Sequence, residues 1–311
     1  MENYVVRKLN VTYIERNCKS ILHKIDNPRL PFNWGANPYR GCLHSCIYCF
    51  ARYTHSYLEL DPEHEFETMI IVKKNAAKIL RKELANPKWK NELVNLGSVC
   101  DPYHPIERKY KITREMLLEF QRYKTPLTVA TKSSLVTRDK DILAEMSQDS
   151  HVDVVISISS INDQIRKKVE PRASSTQKRL EAISELRASG INVGVLLMPI
   201  IPFLNDTEDE IDELFKAVSE TGANYVIPGI LYLTGSTKNR FFEFIEKHYP
   251  DLVEKYKLFY KRRSPPKKYQ EKINLLFRQY RGKYNLDKFS PGQWKSKKDT
   301  QSVLDSYVQK K

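Results

Sequence analysis

Glycine is scarce in this chain, 10 residues in 311, and the glycines never fall into G-x-G-x-x-G or P-loop spacing. Those loops cradle phosphates with backbone N–H groups, so their absence excludes nucleotide-dehydrogenase and P-loop readings. Apolar runs are short, and none approaches the roughly 20 residues that cross a bilayer. The opening residues, MENYVVRKLNV, carry neither an apolar block nor a small-residue cleavage site, so a cytoplasmic protein is expected. No internal repeat is visible. Cysteines number five, an odd count, with three inside eight residues. That is no disulfide framework; in a reducing compartment it signals metal or redox chemistry. With 41% hydrophobic and 29% charged residues, collagen-like and disordered classes are excluded, and the length suffices for one large core or two modest ones.

What is present is a rhythm. Short apolar, β-branched runs recur at Leu93–Val99, Leu127–Ala130, Val152–Ile158, Val193–Met198 and Tyr225–Ile230. Between them the spacing predicts a helix over 73–86, with Ala76, Ile79, Leu80 and Leu84 on one face and Pro87 as its stop. A second is predicted over 113–123 with Thr113 as N-cap, and a third over 176–189 stopped by Gly190. Thr207 and Glu210 have capping-box spacing, with acids in the first turn and Ile211, Leu214, Phe215 and Val218 as the buried face. Strand, helix, strand at about 30-residue intervals is the pattern of βαβ units on a parallel sheet. One further strand before the cysteines gives about six units, too few for an eightfold barrel. Periodicity leaves an open doubly wound sheet and a partial barrel both standing, and both put chemistry at the carboxyl ends of the strands.

From about residue 236 strand signals stop. The expected organisation is an N-terminal segment (1–36), an α/β unit (37–235) and a basic, mainly helical C-terminal extension (236–311), with Pro265-Pro266 as a break. Net charge is +14, and +13 of it lies between Lys255 and Lys298, where 15 Lys and Arg face only Glu271 and Asp287. Nine aromatics, Trp294 among them, are interleaved there. Cations among aromatics suit phosphate neutralisation with base stacking. Amphipathic helices with inward aromatics would explain the rings, but not the lopsided sign.

The segment Asn37-Pro38-Tyr39-Arg40-Gly41-Cys42-Leu43-His44-Ser45-Cys46-Ile47-Tyr48-Cys49-Phe50 holds the cysteine cluster, spaced C-x3-C-x2-C. A cubane iron–sulfur cluster takes one ligand per iron, so three thiolates leave one iron open to a small molecule. S-adenosylmethionine can chelate that iron through its amino and carboxylate groups, and an electron from the cluster can split its sulfonium bond to give a 5′-deoxyadenosyl radical. The competing reading is a structural zinc with His44 or His55 as fourth ligand. Zinc loops bring a second cysteine pair, and here Cys18 and Cys100 stand alone.

This segment resembles the radical SAM superfamily motif, with aromatic Tyr48 before the third cysteine. Val99-Cys100-Asp101, Ala130-Thr131-Lys132, Ser157-Ile158-Ser159, Glu170-Pro171-Arg172-Ala173-Ser174-Ser175 and Val195-Leu196-Leu197-Met198-Pro199-Ile200 follow in order. That succession is similar to the spore photoproduct lyase branch over about residues 18–235. The resemblance implies an α/β fold of the partial (β/α)6 barrel type and a [4Fe–4S] cluster on Cys42, Cys46 and Cys49. It further implies S-adenosylmethionine contacts from Tyr48, Lys132 and Ser157, and Cys100 as the thiol that returns a hydrogen atom. Read by itself, Cys100 closes a β-run and shares a face with Leu96 and Ser98 by the period of two. Two positions depart from the lyase pattern: Asp101 stands where it has Ser, and Phe50 where it has Tyr, so Tyr48 or Tyr103 would have to serve any phenol relay. His104 could face the substrate; His23, His64, His151 and His248 read as structural or surface residues.

The expected activity is radical chemistry on a nucleic acid, DNA favoured, fed by an external one-electron reductant. A peptide or small metabolite as substrate, with the basic extension as scaffold, is the alternative; a non-enzymatic zinc-stabilised nucleic-acid binder is the third.

Overall fold

In the computed structural model, residues 11–28 and 30–287 are described; Trp294 and the polar run after it lie outside them. The strands are β1 (Thr12–Arg16), β2 (His23–Lys24), β3 (Trp34–Ala36), β4 (Tyr39–Arg40), β5 (Met69–Lys73), β6 (Val94–Leu96), β7 (Leu127–Thr131), β8 (Val152–Ser157), β9 (Asn192–Ile200) and β10 (Tyr225–Ile230). The main sheet has seven strands in the order β10-β9-β8-β7-β6-β3-β2. From β3 to β10 every pair is parallel and neighbours follow chain order; only β2 runs antiparallel, against β3. Nowhere does the order reverse, so a doubly wound sheet, which requires a reversal, is ruled out.

All six residues of β8 are buried, Asp153 and Ser157 included, which is why this mainly apolar strand shows no in–out alternation. Close packing extends to β9 and β10: a Cβ on Gly194 would meet the Tyr225 ring at 2.1 Å. A second sheet, β1-β5-β4, flanks the first and was not foreseen, since two of its strands lie among residues whose pattern is mixed.

The helices are α1 (Ala76–Leu84), α2 (Glu107–Tyr110), α3 (Ile112–Arg122), α4 (Lys140–Asp149), α5 (Asp163–Val169), α6 (Thr176–Ala188), α7 (Glu208–Glu220), α8 (Gly235–His248), α9 (Val253–Phe259) and α10 (Lys267–Lys283). Thr207 caps α7 as expected, accepting from the Glu210 N–H; the Glu210 carboxylate answers the Thr207 hydroxyl at 2.8 Å. Thr113 is no cap. It sits inside α3, its hydroxyl donating to the Pro102 carbonyl at 2.6 Å, while Lys111 at φ 54° starts the helix. The β-run before Cys100 is also shorter than its apolar pattern. Gly97 takes φ +100°, which ends β6 at Leu96, so the period of two does not carry to Cys100.

Helices α8 and α9 are not a loose appendage. Phe241, Phe244, Ile245, Tyr256 and Tyr260 form one buried cluster with Ile47 of the cysteine segment and with Leu231 and Leu233 beyond β10. Helix α10 buries Ile273, Leu276, Phe277 and Tyr280, and Phe277 and Tyr280 pack against Phe215 of α7. The amphipathic explanation therefore holds for these aromatics. No helix among the described residues is long and apolar enough to cross a membrane.

Candidate active site

The residues singled out above gather beyond the carboxyl ends of β3, β6, β7 and β8. The cysteine loop is shaped by backbone constraints. Gly41 adopts φ +80°, and a Cβ there would stand 2.8 Å from the Met69 carbonyl, so only glycine admits the turn. Cys42 N–H donates to the Phe66 carbonyl (3.1 Å), Ile47 N–H to Val169 (3.1 Å) and Cys49 N–H to Cys46 (3.2 Å). All three cysteines are free thiols; Cys42 and Cys46 are buried and Cys49 is half-buried. Cys42 and Cys49 pack with Ala51, Phe66 and Val99.

Burial pushes all three thiols above their ordinary range; Asp101 and the two neighbouring thiols add to this at Cys42, and Glu170 adds to it at Cys46. A buried thiol ionises readily only when a cation sits on it, and coordination to iron supplies that. Three free soft donors on a preformed loop therefore suit a cubane cluster. Among the described residues no three His, Cys, Asp or Glu converge as on a single ion; a cubane does not ask them to, because each thiolate takes its own iron. His44 Nδ1 faces the Asp101 carboxylate at 3.2 Å, and His55 Nε2 contacts the Met69 carbonyl at 2.9 Å.

Tyr48, Lys132 and Ser157, far apart in sequence, are brought together by Glu170. The Tyr48 hydroxyl donates to Glu170 Oε1, Lys132 Nζ stands 3.4 Å from the same oxygen, and Arg179 pairs with Oε2. Lys132 Nζ also donates to Ser157 Oγ and lies 5.6 Å over the Tyr48 ring. Burial alone would push Glu170 up; Arg179, Lys132 and the Tyr48 hydroxyl outweigh it and hold the carboxyl well below the usual carboxylate range. Nothing in linear spacing ties Glu170 to Lys132; only the fold brings the two together.

Asp101 is a second knot. Its carboxylate accepts from Lys132 N–H (2.6 Å), the Thr131 hydroxyl (2.7 Å) and Tyr103 N–H (2.9 Å), besides facing His44. Against the upward push of burial, His44 and these donors hold it well below the usual range. Where the lyase pattern has Ser, this chain thus has a carboxylate that ties the cysteine loop to β7.

Cys100 is 5% exposed, and its Sγ donates to the Tyr39 carbonyl at 3.2 Å. Burial pushes this thiol up to about 12, so it stays protonated at neutral pH. Asn37 Oδ1 accepts from both Val99 N–H (3.0 Å) and Cys100 N–H (3.3 Å), fixing the turn that carries the thiol. Tyr103 is fully buried beside Arg138, and Phe50 is 59% exposed. His104 is fully buried against the Tyr39 ring, 4.7 Å between centroids.

The family model for the Radical SAM superfamily matches residues 36–218. This chain belongs to the Radical SAM superfamily. The superfamily's cofactors are a [4Fe–4S] cluster and S-adenosylmethionine, and the chain is an enzyme that uses them. An uncharacterised protein of Mycobacterium tuberculosis is 37% identical over 279 residues, covering 89% of this chain and 82% of that protein. A radical SAM Nα-GlyT isomerase of Pseudomonas phage M6 is 29% identical over 131 residues, 42% of this chain and 26% of that one. Among solved structures, a mutant spore photoproduct lyase with bound S-adenosylmethionine and dinucleoside spore photoproduct shares the fold. Its TM-score is 0.63 at 17% identity, over 88% of this chain and 79% of that one. Fold and cofactors thus agree with the radical SAM expectation, and the zinc-stabilised binder is set aside.

Proposed function

We propose that this radical SAM enzyme acts on a nucleic acid, abstracting a hydrogen atom from a nucleotide and returning one from Cys100. Its sequential parallel sheet is read as a partial (β/α)6 barrel over residues 37–235, carrying the basic extension 236–311, in a cytoplasmic protein. When bound at the cluster's open iron and reduced by an external one-electron donor, S-adenosylmethionine supplies a 5′-deoxyadenosyl radical. Cys42, Cys46 and Cys49 hold the cluster, one thiolate per iron. Lys132 offers its ammonium to the cofactor's carboxylate, with Ser157 beside it, and Tyr48 supports the adenosyl group. Cys100 keeps its proton and hydrogen atom at neutral pH, as a donor to a carbon radical must. Asp101 and Glu170 act only through the residues they hold.

The observation that carries the substrate class is the placement of the unpaired cations. Lys255, Lys261, Arg262, Lys268, Lys272 and Arg278 are exposed and meet no acid within ion-pair distance among the described residues. The Lys261-Arg262-Arg263 loop lies beside the carboxyl end of β10, since Leu233 N–H donates to the Arg263 carbonyl at 2.9 Å. Lys238 Nζ of α8 donates to the Tyr260 carbonyl at 2.8 Å, tying the start of the same loop back to α8. The likeness of the fold to a lyase bound to a dinucleoside photoproduct supports the same reading.

The inward aromatics favour the second reading in one respect: Tyr256, Tyr260, Phe277 and Tyr280 are buried, so they offer no faces for base stacking. A peptide or metabolite enzyme with a basic scaffold would look alike there. Salt separates the two. Neutralising about four phosphates predicts a log–log slope of affinity against salt of about −3 to −4. Reversing one unpaired cation, Arg262→Glu, is expected to shallow that slope by about 1. Fluorescence anisotropy with short single- and double-stranded DNA measures both, and binding indifferent to salt contradicts the proposal. With substrate in hand, Cys100→Ala is expected to keep cofactor cleavage while the clean product gives way to side products of the unquenched radical; an unchanged product sinks the donor role.

A further inference from the structure

The backbone carbonyls of the second and third cysteines are each taken by a buried side chain from outside the loop. Arg52 is 0% exposed, and its Nη2 donates to the Cys46 carbonyl at 3.1 Å. Nη1 of the same guanidinium donates to the Glu63 carbonyl (3.0 Å) and to Glu67 Oε2 (2.6 Å). Thr237, in the first turn of α8 and 2% exposed, donates its hydroxyl to the Cys49 carbonyl at 2.9 Å. Two further contacts tie the two supports together, and a third ties the turn between them to Cys42. Glu67 Oε1 stands 3.6 Å from Arg240 of α8, Asn239 Nδ2 donates to Glu63 Oε1 at 2.8 Å, and the Phe66 carbonyl between them accepts Cys42 N–H.

We propose that Arg52 and Thr237 are positioning residues for the iron–sulfur cluster, and that α8 thereby belongs to the cluster's support rather than to a separable extension. A fully buried guanidinium is costly unless its charge is paired, and here Glu67 pairs the charge while two carbonyls take further donors of Nη1 and Nη2, Nε alone having no hydrogen-bond partner among the described residues. A planar fork spans those three acceptors at fixed angles, and an ammonium cannot. Burying such a group under the loop that holds three ligands fixes the direction in which the thiolates leave the backbone. Groups behind metal ligands, when removed, cost about 10–100-fold in metal affinity or activity. The inference rests on Cys42, Cys46 and Cys49 being the ligands, and it is independent of the substrate.

The test follows loss of the cluster's charge-transfer absorption from anaerobically reconstituted protein challenged with an iron chelator, without S-adenosylmethionine or substrate. Arg52→Met is expected to bleach about 10-fold faster than wild type. Its reduction potential, followed by EPR, is expected to fall, because a nearby positive charge is gone. Arg52→Lys keeps the charge and loses the reach, so it should bleach fast at a near-wild-type potential. Thr237→Val, nearly isosteric, should bleach several-fold faster while the melting temperature of the cluster-free protein falls by only about 2–4 °C, the cost of one lost buried hydrogen bond. Wild-type bleaching in Arg52→Met and Thr237→Val overturns the proposal; if Arg52→Met does not fold, Thr237→Val alone decides. Cys42→Ala serves as the reference: a full cluster in that variant means that the ligand assignment has failed, whatever Arg52 does.

Discussion

Replacing Glu170 by alanine is expected to lower folding stability by about 3–5 kcal/mol, because it strands buried charge. Glu170 and Arg179 are both 0% exposed, and Lys132 and the Tyr48 hydroxyl converge on the same carboxylate. Arg179 would retain only the Ser157 carbonyl (2.7 Å) and the Ser174 carbonyl (2.9 Å). Those dipoles satisfy donors but do not neutralise a cation. Glu170→Gln, which keeps an acceptor for Tyr48 and loses the charge, is expected to fall between alanine and wild type. The pH dependence has a definite sign. A carboxyl held below its ordinary value contributes stability that is present above about pH 4.5 and is lost as pH falls through the lower, folded-state value. The gap between variant and wild type, measured by urea unfolding, should therefore stay constant from pH 5 to 8 and close only in strong acid. A gap under about 1 kcal/mol, the worth of an exposed pair, would mean that the carboxylate is not the hub described.

The opposite sign is expected at Asp153, on the inner part of the sheet away from the cysteines. Its carboxyl accepts from Asn192 Nδ2 at 2.9 Å and faces the Tyr225 hydroxyl, with no cation in ion-pair range among the described residues. Burial pushes it up to about 7, the two hydrogen bonds only partly opposing. A raised carboxyl contributes stability fully present below the unfolded value near 4 and lost as pH rises through about 7. Wild type should therefore lose roughly 4 kcal/mol between those limits, at 1.36 kcal/mol for each unit of displacement. Asp153→Asn imitates the neutral acid, donating to Tyr225 and accepting from Asn192. It is expected to unfold at higher urea than wild type at pH 8, by about 2–4 kcal/mol, with the advantage shrinking steadily toward pH 5. Equal stabilities at pH 8 would mean that Asp153 is charged and paid for elsewhere.

The sheet was legible where burial is two-sided: β7 and β8 read as mainly apolar, β-branched runs despite Thr128 and Asp153, and β10 matched its run residue for residue. The capping signal at Thr207 marked α7 because its chemistry is local. What escaped was set by distant partners. Thr113 looks like a cap until the Pro102 carbonyl is known to face it, and Gly97 ends β6 through a backbone angle that its neighbours do not announce. The cysteine triad was plain from spacing, since ligands of one cluster lie close in sequence. Glu170, Arg52 and Asn37 were not, because each reaches its partner across the fold, and a charged residue in a loop reads as solvated until its burial is seen. In the basic segment, charge was read correctly as lopsided, while the orientation of its rings depended on α7 and on the cysteine segment being there to receive them.

The central claim is that Cys42, Cys46 and Cys49 hold a cluster that cleaves S-adenosylmethionine. Its most direct test is 5′-deoxyadenosine release by anaerobically reconstituted, chemically reduced protein, measured with and without DNA. The expected result is release by wild type that disappears when any one of the three cysteines becomes alanine. Zinc in place of iron in protein isolated without oxygen, with no 5′-deoxyadenosine formed under either condition, would contradict it.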